Sequence, residues 1–189
     1  MTRLPNILTL LRIGLIPFFV LFFYLDVKNA HLITAVLFTL AAITDWLDGY
    51  LARRLGVTSA FGAFLDPVAD KLMVATALIL IVNNNPTAYS GIWIALPAVV
   101  IVGREITISA LREWMAEVGA SAKVAVSMLG KVKTTAQMSA LILLLYREPL
   151  GDFPTSAAGL VLLYVAAVLT LWSMVLYLRA AWPALNEKQ

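Results

Sequence analysis

The densest charge in this chain lies in TDWLDGYLARRLGVTSAFGAFLDPVADK, Thr44 to Lys71, and it is built around four aspartates. Asp45 and Asp48 are three residues apart, so a helix puts both carboxylates on one face. Asp66 and Asp70 are four apart and do the same on the next helix. Asp66 followed by Pro67 has the form of an N-cap before a proline at the first helical position. The spacing therefore predicts one helix ending near Arg54 and another beginning at Asp66. A short connection makes them antiparallel neighbours, with two carboxylate pairs meeting at one end. Four carboxylates at close range repel and take up protons unless cations sit between them. Oxygen-only ligands select hard ions, Mg²⁺ or Mn²⁺, over zinc or copper. Two such metals suit phosphoryl-type transfer, where attacking and leaving oxygens are stabilised together. Gly49 and Gly62 let a ligand approach the backbone closely, and Arg53 can pair with a phosphate.

The elements that position these residues follow from composition. The 189-residue chain is 61% hydrophobic and only 13% charged, with a net charge of +3. Soluble domains average about 25% charged residues, so an ordinary soluble globule is excluded. Disorder and nucleic-acid binding are excluded too, because no charge-rich segment exists. With no cysteine in the chain, disulfides, thiolate metal sites and thiol nucleophiles fall away. Spans of about 20 apolar residues are predicted near 8–25, 32–51, 71–82, 92–111, 134–146 and 157–178. The short third and fifth extend into polar ends of the same helices. Arg12 and Pro17 within the first stretch, with no small-residue cleavage pattern after it, argue against a removable signal peptide. The expected architecture is a single all-α integral membrane domain over residues 1–189, a bundle of about six transmembrane helices. Lys and Arg concentrate in the even-numbered connections and both tails. The positive-inside rule then places the termini and a polar active-site cavity on the cytoplasmic side.

Further along, Arg104 and Arg112 are eight residues apart and so lie within about 80° of each other on the fourth helix. Lys131 and Lys133 precede the fifth. Being two apart, they cannot both face one cavity from a regular helix, so either one snorkels to the headgroups or the segment is not helical. Cations gathered beside a metal cluster imply an anionic acceptor. Lys71 is expected to pair with headgroups, His31 to be a solvated loop residue, and Asn83 to Asn85 to form a plain polar loop.

The full pattern D-x2-D-G-x2-A-R-x8-G-x3-D-x3-D is present as Asp45, Asp48, Gly49, Ala52, Arg53, Gly62, Asp66 and Asp70. Eight fixed positions match by chance on the order of once in a billion starts. On this motif the chain resembles the CDP-alcohol phosphotransferase family, whose members displace CMP from a CDP-linked lipid or alcohol with a second alcohol. The likeness extends through PNILTLLRIGLIP, REITISALREWMAE and GKVKTTAQM. It is strongest to bacterial inner-membrane members that join CDP-diacylglycerol to sn-glycerol 3-phosphate. The resemblance implies that Asp45, Asp48, Asp66 and Asp70 hold two metal ions and that Asp70 is the base for the acceptor hydroxyl. It implies donor contacts from Asn6, Thr9, Arg12, Gly49, Arg53, Ser59 and Gly62, and acceptor-phosphate contacts from Arg104, Arg112, Lys131 and Lys133. It also implies a homodimer, which no G-x3-G motif supports independently.

Helix-capping carboxylates are the plain alternative for the four aspartates, but capping does not require the whole pattern. A transporter is the rival from another class, yet such sites lie near the bilayer midplane between repeated halves, and no repeat is visible here. Other acceptors within the same chemistry are serine, an inositol phosphate or phosphatidylglycerol.

Overall fold

In a computed structural model, residues 4–55, 60–117 and 128–186 are described. They form six helices: α1 Leu4–Tyr24, α2 Ala30–Leu55, α3 Ala60–Asn83, α4 Ile92–Glu117, α5 Met128–Tyr146 and α6 Thr155–Asn186. No strand occurs among the described residues. Three helices, α1, α4 and α6, are long and apolar enough throughout to cross a membrane, and the apolar part of α2 covers Ala30–Asp45. The charged and amide side chains carried on α3 and α5 lower their hydropathy. This is a multi-pass, all-helical membrane protein.

One expectation about boundaries is corrected. Helix α3 begins at Ala60, so Asp66 and Pro67 lie inside it and not at its start. A proline within a helix removes one backbone bond, a loss that membrane helices tolerate because neighbouring groups restore the contacts. Pro17 and Pro97 are accommodated within α1 and α4 in the same way.

The molecule is apolar on its outside. Phe64, Ile79, Val99, Ile106, Val168 and Trp182 are each more than 60% exposed, a lipid-facing distribution. Lipid is as apolar as leucine, so close van der Waals packing, not water exclusion, holds such helices together. The core accordingly mixes bulky side chains (Phe19, Phe38, Leu78, Ile81, Ile94, Leu141) with alanines that let backbones approach. The tightest approach is between α5 and α6. A Cβ built on Gly159 would lie 2.8 Å from Leu144 Cγ and 3.2 Å from the Ala140 carbonyl oxygen. Hydroxyls within the helices donate to carbonyls on their own helix, as Thr34 does to Ala30 and Thr39 to Ala35.

The expected direct apposition of α2 and α3 is also modified. Among the described residues these two helices touch sparingly, while α1 packs along both. At the end of the bundle away from the aspartates, Arg147 closes α5 with a positive φ of 65°. It lies 4.8 Å from the Phe23 ring centroid and donates to the Asn84 carbonyl at 2.8 Å. Burial holds its pKa below the ordinary arginine value. Asn83 donates to the Tyr24 hydroxyl, and Asn85 accepts from Thr87 in a local turn. The asparagine segment is therefore a lock between α1, α3 and α5, not a plain loop. His31 likewise belongs to the first turn of α2, partly buried, with its Nδ1 enclosed and unpartnered.

Candidate active site

Helix α1 joins the two aspartate-bearing helices. Thr9 donates its hydroxyl to Asp66 Oδ1 at 2.5 Å. Arg12, 1% exposed, pairs its Nη1 with Asp45 Oδ1 at 2.5 Å. The three-residue spacing of Thr9 and Arg12 puts both on one face of α1, and that face reads one carboxylate from α2 and one from α3. Expected to contact the donor, these two residues also hold aspartates of the motif in place. Asp70, one turn after Asp66, is exposed to the interior cavity and lies within electrostatic range of Asp45, Arg12, Glu105 and Lys133.

That cavity, of about 480 Å³, runs between α3, α4 and α5. Its polar lining is Asp70, Lys71, Glu105, Ser109, Glu113, Lys133, Thr134 and Gln137, with apolar walls from residues such as Val74, Ile101 and Met138. Glu105 organises the cations: its Oε1 accepts from Arg104 Nη1 at 2.8 Å and from Lys133 Nζ at 3.1 Å. A buried lysine needs such a partner, since an unpaired charge in the interior is costly. The Lys131 and Lys133 question resolves in favour of a regular helix. Both lie on α5, Lys133 buried in the cavity wall and Lys131 exposed. Lys71 does not turn to headgroups. It donates to Ser109 on α4 and lines the cavity.

Arg104 and Arg112 share a face as their spacing predicts, but it is the face toward α6. Arg104 Nη2 donates to Ser173 at 3.2 Å, and Arg112 lies 5.3 Å from the Tyr177 ring centroid. Neither is among the residues lining the cavity. Asn6 falls in the first turn of α1, and Asp48, Gly49 and Arg53 fall on α2 by backbone position. Gly62 is buried on α3, and Ser59 lies outside the described residues.

Among the described residues no three His, Asp or Glu side chains close into one metal-ligand set. The side chain of Asp48, the fourth predicted ligand, is outside that description. The donor chemistry nevertheless fits a hard dication: Asp45, Asp66 and Asp70 offer only carboxylate oxygens, two of them oriented by α1. Sequence reading missed Glu105, Ser109 and Gln137. Spacing held a signal for two of these, since Ser109 follows Glu105 by four residues and Gln137 follows Lys133 by four, each pair sharing a helix face.

The site thus sets Asp70 and the buried Lys133 on two walls of one cavity within a multi-pass helical bundle, the setting of a membrane-embedded enzyme. Residues 2–172 match the family described as CDP-alcohol phosphatidyltransferase. The chain belongs to that family. It is 56% identical over 185 residues to a protein of Yersinia enterocolitica, covering 98% of each chain, named CDP-diacylglycerol–glycerol-3-phosphate 3-phosphatidyltransferase. Relatives of the same name from Sodalis glossinidius and Pectobacterium atrosepticum are 58% and 57% identical over 179 residues, covering 95% of this chain and 94% of theirs.

Proposed function

We propose that the chain is one catalytic domain that transfers the phosphatidyl group of CDP-diacylglycerol to sn-glycerol 3-phosphate, releasing CMP. The observation that carries this reading is the single cavity with Asp70 on one wall and the buried Lys133 on another. A carboxylate positioned against a cation suits an acceptor that carries a hydroxyl to be deprotonated and a phosphate to be held. The names of relatives matched over nearly their full length support the same substrates.

Asp45, Asp48, Asp66 and Asp70 are the residues that would hold two Mg²⁺ or Mn²⁺ ions, which when bound offset the negative charge of the diphosphate. Thr9 and Arg12 fix two of those carboxylates from α1. On the donor side, Asn6, Gly49, Arg53, Ser59 and Gly62 flank the CDP portion, with Arg53 pairing to phosphate. An apolar groove of about 610 Å³ between α3 and α4 shares Val102 and Ile106 with the cavity and suits the acyl chains. On the acceptor side, Lys133 holds the phosphate, Arg104 supports it through Glu105, and Arg112 stands further off against Tyr177.

Asp70 receives the proton of the acceptor's primary hydroxyl as that oxygen attacks phosphorus. The bond from phosphorus to the CMP oxygen breaks in line, in one displacement. Inversion at phosphorus is the expected outcome, whereas retention or a phosphatidyl adduct on Asp70 would establish a two-step route. CMP release from CDP-diacylglycerol by the purified protein, with glycerol 3-phosphate, serine, inositol phosphate and phosphatidylglycerol compared, tests the substrate reading. Preference for any acceptor but the first overturns it. Excess chelator should abolish turnover and Mg²⁺ or Mn²⁺ restore it.

We further infer a homodimer in the bacterial inner membrane with both termini and the aspartates cytoplasmic. The charge asymmetry of the connections supports this orientation. Modification of an Asn84→Cys probe from the cytoplasm alone would reverse it.

A further inference from the structure

We propose that Gln137 recognises the secondary hydroxyl of the acceptor. This rests on the acceptor reading above and adds a contact that charge alone does not supply. Gln137 is 6% exposed, and its Oε1 is buried with no hydrogen-bond partner. It lines the cavity together with Asp70 and Lys133. An enclosed carboxamide without a partner is destabilising, and most buried polar atoms have one. The neighbouring groups are turned elsewhere. Lys133 donates to Glu105, Ser109 donates to the Glu105 carbonyl, and Thr134 donates to the Gly130 carbonyl. A group that enters the cavity would supply the partner that Gln137 Oε1 lacks.

The chemistry of that partner is constrained. An ionised phosphate oxygen only accepts hydrogen bonds, so it cannot donate to a carboxamide oxygen. A hydroxyl both donates and accepts, and so matches either end of the amide. sn-Glycerol 3-phosphate has two hydroxyls, and the primary one is committed to attack beside Asp70. The secondary hydroxyl remains. Gln137 follows Lys133 by four residues on α5, a rise of about 6 Å on the same face, a span that the long, flexible lysine side chain and the secondary hydroxyl together can bridge. With the phosphate at Lys133 and the primary hydroxyl at Asp70, Gln137 on the same cavity lining is left for the secondary hydroxyl.

The experiment compares glycerol 3-phosphate with 1,3-propanediol monophosphate, which keeps the phosphate and primary hydroxyl but lacks the secondary one. In the wild-type enzyme kcat/KM should favour glycerol 3-phosphate by about tenfold or more, as loss of one buried hydrogen bond implies. In Gln137→Met the ratio should fall to within about twofold of unity. A purely structural glutamine would lower both rates together and leave the ratio intact. Gln137→Leu provides a second measurement of the ratio should the methionine variant fold poorly. An unchanged ratio in the variants, or no preference in the wild type, overturns the assignment while leaving glycerol 3-phosphate as acceptor. Failure of the wild-type enzyme to use glycerol 3-phosphate at all, with another acceptor turned over, overturns both readings.

Discussion

Two charged groups, one on α2 and α3 and the other on α4 and α5, are tied down in opposite ways. On the α2–α3 side the carboxylates are in excess, and α1 supplies the donors, Thr9 to Asp66 and Arg12 to Asp45. On the α4–α5 side one carboxylate, Glu105, ties Arg104 and Lys133 together, and a second carboxylate, Glu113, also lines the cavity. In each case one group positions others of opposite character: donors on α1 hold carboxylates, and a carboxylate on α4 holds cations. Ion pairs of this kind contribute little to stability.

The comparison predicts a ranking. Asp66→Asn and Asp45→Asn should have the largest effect, lowering kcat by about a thousandfold in a folded protein. Near-normal turnover in either variant would remove the aspartates from the chemistry. Lys133→Ala should raise the apparent KM for glycerol 3-phosphate about ten- to a hundredfold, as loss of a charge-assisted contact implies, with the KM for CDP-diacylglycerol little changed. Equal effects on both substrates would show that Lys133 only supports the bundle. Removing the positioning group should cost less than removing the group it positions. Thr9→Val should reduce kcat and Glu105→Gln should raise acceptor KM, each by about three- to tenfold. Should either exceed its partner's effect, the division into positioner and positioned is reversed. The smallest change is expected for Arg112→Ala, within about threefold in acceptor KM, because its guanidinium rests on Tyr177, a contact of about 0.5–1 kcal/mol. A tenfold rise would move Arg112 into the acceptor pocket.

The helices were legible in the sequence because their apolar length is dictated by the bilayer. The start of α3 was not, since Asp66-Pro67 has the local chemistry of a cap while the residues before it continue the helix through Ala60. The aspartates could be found because their pattern is long and specific. Their restraint by α1 could not, because Thr9 and Asp66 are separated by 57 residues and meet only in the packed bundle. Arg104 and Arg112 show a narrower limit: periodicity gives the shared face but not the neighbour that face meets, which here is α6. Gln137 stayed hidden because an uncharged amide in an apolar run has no electrostatic signature. Only its unsatisfied oxygen in the folded protein distinguishes it.

Gly159 has a consequence for heredity. No reactive group lies near it, yet even a methyl there collides with Leu144 and the Ala140 carbonyl. Ala140 is less than one helical turn from Gln137, so spreading α5 from α6 displaces the cavity wall that carries Lys133 and Gln137. Gly159→Ala is therefore a route to a conditional allele, with growth at low temperature and arrest at high temperature. Plating a strain that depends on this chain at two temperatures would read it directly. The cells would be crippled by a single carbon atom placed far from any bond the enzyme makes or breaks.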